Sequence, residues 1–359
     1  MRSWKKGYAV LLGAAMVAGT AVASAAPVAA DNHLGDCTVA VSWREFQEER
    51  WALRDKPAIL SVVEAAGCSY IESDAGNSPE KQFSDIENLI NQGANVILVL
   101  AADPATFSPA IDVAEDAGVS VIAYDQLIED PRAFYITFDN VEVGRMQARA
   151  IQEIVPEGNY VFIKGSSLDP NADFLNSGQV EVLQEALDSG AIVNVGESYT
   201  DGWDPSVAQD NMAQFLTTND NNVDAVVASN DGTAGGVVAA LAEQGLDGIV
   251  PVSGQDADNA ALNRVALGTQ AVSVWKDSRE LGRQAGEIAI QLLESGGDLS
   301  AVEGATTFSD GPNGVDMTSI LLAPTAITQD NLNLMLEAEW LSQDVLCQGV
   351  ESGTVDACP

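Results

Sequence analysis

From residue 38 onward, short β-branched runs alternate with longer stretches of helical period, and the alternation runs through two successive series. That pattern is the mark of βαβ units, which build parallel sheets with helices on both faces. It excludes a helical bundle and an all-β sandwich. The first series predicts strands at Thr38–Trp43, Ser69–Ser73, Val96–Ala101, Ser120–Tyr124 and Phe134–Phe138. Between them Ser78 can cap a helix whose first position is Pro79, whose apolar face is Phe83, Ile86, Leu89 and Ile90, and which ends at Gly93. The second series predicts strands near Tyr160–Lys164, Ile192–Glu197, Ala225–Ala228, Val250–Ser253 and Ala271–Trp275, with helices near 171–187, 206–218, 233–244 and 257–267. A chain of 359 residues with 46% hydrophobic content is long enough for two such cores.

The expected fold class is therefore α/β, with two doubly wound Rossmann-like lobes. The helix expected at Ser278–Leu293 follows a completed second lobe, so the chain should cross back, making a multi-crossing hinge rather than a linker. We expect a first lobe of residues 37–139 plus about 277–305 and a second of 140–276 plus about 306–325. The stretch Gly296–Asp316 reads as a loop, and 326–359 as a tail with one short helical pattern, Leu332 to Leu341.

Residues 1–30 read as a signal peptide. Arg2, Lys5 and Lys6 make a basic start, Val10 to Ala23 is small and apolar, and Ala23-Ser24-Ala25 or Val28-Ala29-Ala30 offers a cleavage site. No later apolar run reaches the roughly 20 residues of a membrane span, so a periplasmic or secreted protein is expected. The formal charge is −37, from 53 acidic and 16 basic residues, and grows more negative once the three leader cations leave. So acidic a surface argues against nucleic acid and anionic membranes as partners. The four cysteines suit an oxidising compartment. Cys37 opens the first strand and Cys68 the second, so Cys37–Cys68 and Cys347–Cys358 bridges are expected. Without a Cys-x-x-Cys pair, and with His33 as the sole histidine, no metal site is expected.

In open α/β sheets ligands bind beyond the carboxyl ends of the strands. Those positions are nearly all polar or aromatic: Arg44, Arg50 and Trp51, Asp125 and Gln126, and Asp139 and Asn140 in the first series. The second offers Asp169 and Asn171, Trp203, Asn230 and Asp231, Asp256, and Lys276. Asp139 and Asp231 are expected to cap the helices that follow them, and Arg44 to lie at the surface or in a salt bridge. The set as a whole suits a sugar, whose hydroxyls donate and accept while its C–H faces pack on Trp51 and Trp203. No Gly-x-Gly-x-x-Gly follows a strand and no Walker loop is present, so nucleotide cofactors are not expected. The run Thr217–Asp224 lacks the spacing of a calcium loop and reads as a turn.

Several stretches resemble the D-xylose-binding proteins of bacterial ABC transporters, within the ribose and galactose periplasmic-binding class. They are Glu49-Arg50-Trp51, Gln82 to Gly93 (QFSDIENLINQG), Ala123-Tyr124-Asp125, Tyr135 to Asn140 (YITFDN), Asp201-Gly202-Trp203, Ala225 to Gly236 (AVVASNDGTAGG) and Ser253 to Asp258 (SGQDAD). The likeness runs from about residue 38 to 325. It implies a type I periplasmic binding protein: two lobes, three hinge crossings, a monomer, and a sugar enclosed between the lobes for delivery to a membrane permease. Carried over motif by motif, it implies sugar contacts at Arg50, Trp51, Asp125, Asp169, Asn171, Trp203, Asn230, Asp256 and Lys276. Where the resembled proteins have Tyr-Asp-Arg, this chain has Tyr124-Asp125-Gln126. A neutral amide there in place of a two-pronged cation predicts weaker xylose binding or room for another aldose. A sensor presenting its closed form to a receptor, or a sugar-cleaving enzyme using Asp125 and Asp256, are the alternatives.

Overall fold

The computed structural model describes residues 36–46 and 48–359, so the signal-peptide reading and His33 lie outside the described residues. In the first series β1 (Thr38–Trp43), β2 (Ser69–Asp74), β3 (Val96–Val99), β4 (Ser120–Tyr124) and β5 (Ala133–Phe138) form parallel pairs in the order β5-β4-β3-β1-β2. All of β3 and β5 is buried, as strands covered by helices on both faces must be. A π-helical turn, Trp51–Asp55, leads into α1 (Lys56–Ala65). Helix α2 (Pro79–Asn91) begins with Ser78 accepting from the Lys81 amide, with Pro79 in its first turn. Helix α3 (Ser108–Asp116) follows.

The second lobe starts with α4 (Asn140–Ile154), capped by Asp139. It continues through β6 (Gly158–Ile163), α5 (Pro170–Ser189), β7 (Ile192–Ser198), α6 (Pro205–Thr218), β8 (Ala225–Ala228), α7 (Asp231–Glu243), β9 (Ser253–Gln255), α8 (Asn259–Leu267) and β10 (Val272–Trp275). Strands β7-β6-β8 and β9-β10 are two parallel groups joined by a bridge from Val226 to Val252. Helix α9 (Ser278–Ser295) then returns to the first sheet, burying Leu281, Ala285, Ile288 and Leu292 in the same core as Val39, Leu98 and Ile136.

The segment 306–325 departs from expectation. Strand β12 (Met317–Leu322) lies parallel to β5, and β11 (Thr306–Phe308) pairs antiparallel with β12 as the edge of the first sheet. Those residues therefore belong with the first lobe, and the expected loop 296–316 contains a strand. Once α9 has covered the first sheet, the free edge of β5 is the nearest set of unpaired backbone groups, and β12 satisfies it. Only then does β13 (Thr325–Ile327) join β10 antiparallel in the second lobe.

The tail is likewise a folded part of the second lobe. With α10 (Asn333–Glu337) and α11 (Gln343–Leu346), it packs Leu332, Met335, Trp340 and Leu346 onto Leu262 and Val265 of α8. Both expected disulfides are present: Cys37–Cys68 ties the starts of β1 and β2, and Cys347–Cys358 closes the tail. No helix among the described residues is long and apolar enough to cross a membrane.

Candidate functional site

The site begins with a helical irregularity. In a π-turn residues i and i+5 come onto one side, and Trp51–Asp55 thereby sets Arg50 against Asp55. The guanidinium donates through Nη2 at 2.9 Å and Nε at 3.2 Å to the two oxygens of that fully buried carboxylate. Tyr124 Oη donates to the same Asp55 at 2.5 Å. Fixed from behind, Arg50 presents Nη1 to Asp256 Oδ1 at 3.3 Å and Asp125 Oδ2 at 3.6 Å. Lys276, at the crossing after β10, places Nζ 3.6 Å from Asp125 and 3.7 Å from Asp256. Two cations and two carboxylates thus interlock across the space between the sheets.

The second lobe supplies its side chains mostly from helix starts. Asp169 caps α5, accepting from the Asn171 amide with Oδ1, while Oδ2 accepts from Trp203 Nε1 at 3.1 Å and from Gln126 Nε2 of the first lobe at 2.6 Å. Asn171 donates to the Asp125 carbonyl at 3.0 Å and accepts from Asn140. Asn230 caps α7 by accepting from Thr233, which leaves its amide NH2 for the cavity. The Trp203 ring packs against Gly165, where any Cβ would run into it.

Three lining residues, Asp125, Trp203 and Asp256, hold φ between +58° and +94° without being glycine. Left-handed backbone at such residues costs on the order of 1–3 kcal/mol each and collects at functional sites. Here it turns two carboxylates and an indole toward the same space.

Electrostatics separates the carboxylates. Burial pushes Asp125 up, but Lys276 and Arg50 together outweigh it and hold the carboxyl below its ordinary range. For Asp169 and Asp55 burial wins over Arg44 and Arg50 respectively, and both are raised. Behind the cavity Asp231 is pushed up to about 7 by burial, against the pull of Arg264. Sequence placed Asp231 as a helix cap. Asn230 takes that role, and the Asp231 carboxylate turns inward to accept from Ser273, Gln270 and the Asp258 amide.

All ten residues singled out from sequence, Arg50, Trp51, Asp125, Gln126, Asp169, Asn171, Trp203, Asn230, Asp256 and Lys276, line a single small cavity. Sequence reasoning missed two more, Gln255 and Glu48, and Arg44, named as a strand-end position and expected at the surface or in a salt bridge, lines the cavity as well. Gln255 lines it from the end of β9, and Glu48 holds Arg44 at 2.8 Å while accepting from the Trp51 indole. Arg44 is buried and ion-paired, with Nη1 3.9 Å from Asp169. The signal for Arg44 was its place at the end of β1. Its charge argued the other way, because arginines are mostly exposed.

A family model described as a periplasmic binding protein domain matches residues 39–298. The chain belongs to the periplasmic binding protein family. Among its relatives, the D-xylose-binding periplasmic protein of Escherichia coli (strain K12) is 39% identical over 84% of this chain and 89% of its own length. The multiple sugar-binding periplasmic receptor ChvE of Rhizobium radiobacter is 31% identical over 91% of this chain and 96% of its own. A solved ABC transporter solute-binding protein from Clostridium phytofermentans, with bound β-D-glucose, superposes with a TM-score of 0.76 at 27% identity, covering 86% of this chain and 99% of that one. The expected type I periplasmic binding protein fold is what the sheets build, and these relatives are named as binding proteins. The two relatives matched by sequence are periplasmic.

Proposed function

We propose that this periplasmic binding protein captures an aldose, D-xylose or a close relative, outside the cytoplasm and hands it to an ABC permease without chemical change. The observation that carries the reading is the polar accounting of the cavity. Gln126 Oε1, Gln255 Oε1 and Arg44 Nε are buried without a partner among the described residues, and all three belong to lining side chains. Each buried orphan costs roughly 1–3 kcal/mol. A ligand dense in hydroxyls, which donate and accept at once, satisfies acceptors and donors alike. Beside them stand a carboxylate pair shared by two cations, an amide from Asn230 and two indoles.

The cross-lobe bonds suggest how capture and closure couple. Arg50 to Asp256 and Gln126 to Asp169 each join one lobe to the other. Sugar hydroxyls inserted among these groups exchange direct contacts for bridged ones. The lobes then close only where every hydroxyl meets a partner, which gives selectivity among epimers. Two features support binding over glycoside cleavage. Asp125 is held ionised, so it is a poor proton donor, and both Asp125 and Asp256 are engaged by the same two cations rather than flanking an open gap. The E. coli and Rhizobium radiobacter relatives, named for D-xylose and for multiple sugars, support both the ligand class and an extracytoplasmic location.

The test is calorimetric titration of the ligand-free protein with D-xylose, D-ribose, L-arabinose, D-glucose and D-galactose. One-to-one binding of D-xylose, tighter than of the hexoses, is expected. Heat from none of the five would overturn the reading.

A further inference from the structure

The C-terminal tail makes a contact that neither the cavity nor the three chain crossings explains. Trp340 belongs to the second lobe: it packs with Met335 and Leu262, stacks edge-on with Trp275 at 5.5 Å, and donates its indole N–H to the Ala257 carbonyl at 2.7 Å. Ala257 directly follows Asp256 of the site. Yet the face of the same ring is covered by two cations from the first lobe. Arg54, on the π-turn that positions Arg50, has its guanidinium carbon 4.6 Å from the ring centroid, and Arg279, in the first turn of α9, lies at 4.7 Å. Both arginines also donate to tail carbonyls: Arg54 Nη2 to Trp340 O at 2.7 Å and Arg279 Nη1 to Ala338 O at 3.0 Å. Arg54 further reaches Asn259 of α8 at 3.4 Å.

We propose that Trp340, gripped by Arg54 and Arg279, is a clasp that holds the two lobes in the closed arrangement and so sets how long the ligand stays, without touching it. This rests on the binding reading above. The geometry places both ends of the clasp on pieces that carry site residues. The π-turn presents Arg50, and the loop after β9 presents Asp256. Parting the lobes withdraws Arg54 from Trp340 and Asn259, breaking a cation–π contact and its hydrogen bonds before the ligand leaves. The tail is a firm anchor because its hydrophobic cluster seats it on α8 and Cys347–Cys358 closes it. Arg54, Arg279 and Trp340 are positioning residues, since none lines the cavity.

The experiment compares wild type with Arg54→Ala, Arg54→Lys and Trp340→Leu. Stopped-flow release of D-xylose is one readout, and small-angle scattering of the ligand-free proteins is the other. A half-desolvated cation–π contact, with one short hydrogen bond to Trp340 O and a long one to Asn259, predicts release from Arg54→Ala faster by about three- to thirty-fold, with the dissociation constant weakened to match. Arg54→Lys keeps the cation and should recover part of the loss. Scattering should show a larger radius of gyration for Arg54→Ala than for wild type. Trp340 is buried in the tail core, so if Trp340→Leu fails to fold, the partly exposed Arg54 still decides the matter. Unchanged release and an unchanged radius for folded Arg54→Ala would overturn the clasp. If wild type binds none of the five sugars, the binding reading fails while the scattering comparison still judges the clasp.

Discussion

The two lobes hold their halves of the site by different means. In the first, Arg44, Arg50 and Asp125 are fixed by charges on one another and on the half-buried Glu48 and the deeply buried Asp55 and Lys276. In the second, Asp169 and Asn230 are fixed by helix amides, each using one oxygen as a cap and leaving its remaining polar atoms for the cavity. Capping is local and worth about 1 kcal/mol. A buried ion network is shared, and removing one member strands the rest. The first lobe should therefore fail as a unit, whereas the second should fail one residue at a time.

The sharpest way to break that contrast is Arg50→Ala. It leaves Asp55, Asp125 and Asp256 facing one another in a buried space, so we expect aldose binding below detection and a loss of about 3–5 kcal/mol of stability by urea unfolding. A cost under 1 kcal/mol would show that the network is not shared.

Next comes a fully buried carboxylate of the second lobe that is not a cap. Asp231 titrates near 7 when folded, against about 4 in an unfolded chain. The folded form therefore binds the extra proton between those values, and the stability this provides, complete below about pH 4, is lost as pH rises toward 7. Asp258, raised by burial and by Asp231, acts in the same direction. Melting temperatures from pH 4.5 to 8 should fall more steeply for wild type than for Asp231→Asn, and parallel slopes would contradict the assignment.

Smaller effects are expected at the caps. Asp169→Ala should cost about 1 kcal/mol of stability while weakening aldose binding roughly tenfold or more through the lost acceptor. An affinity loss without a stability loss would mean that the cap is dispensable. Smallest of all, Gln126→Arg should tighten D-xylose by a few-fold, because a guanidinium replaces an amide beside Asp169. No change in affinity would remove Gln126 from the account.

The same contrast explains what could be read from sequence. Asp169 and Asn230 follow strands and precede helices, so both are visible in the pattern as strand-end residues, although the cap of α7 was expected one residue later, at Asp231. The alternation that revealed the lobes also placed most strand ends within a residue or two. Glu48 was not legible as a site residue, nor Arg44 as a buried one, because nothing in a single sequence says that two charges will pair and leave the solvent together. Gln82 was hidden for a similar reason. It is fully buried, donating to the Ser42 and Leu100 carbonyls and accepting from Ala102, and so it finishes the ends of β1 and β3. The placement of β12 depended on which sheet edge was left open, a tertiary fact.

The central claim is that an aldose sits between the two lobes and takes over their cross-lobe contacts. A crystal structure of the protein with D-xylose tests it most directly. The account predicts one pyranose in the cavity, with hydroxyls within hydrogen-bond distance of Arg50, Asp125, Asn230, Asp256 and Lys276 and a C–H face on Trp203. Sugar bound instead in the outer groove lined by Leu127, Leu168 and Phe174, with the Arg50–Asp256 pair intact, would contradict it.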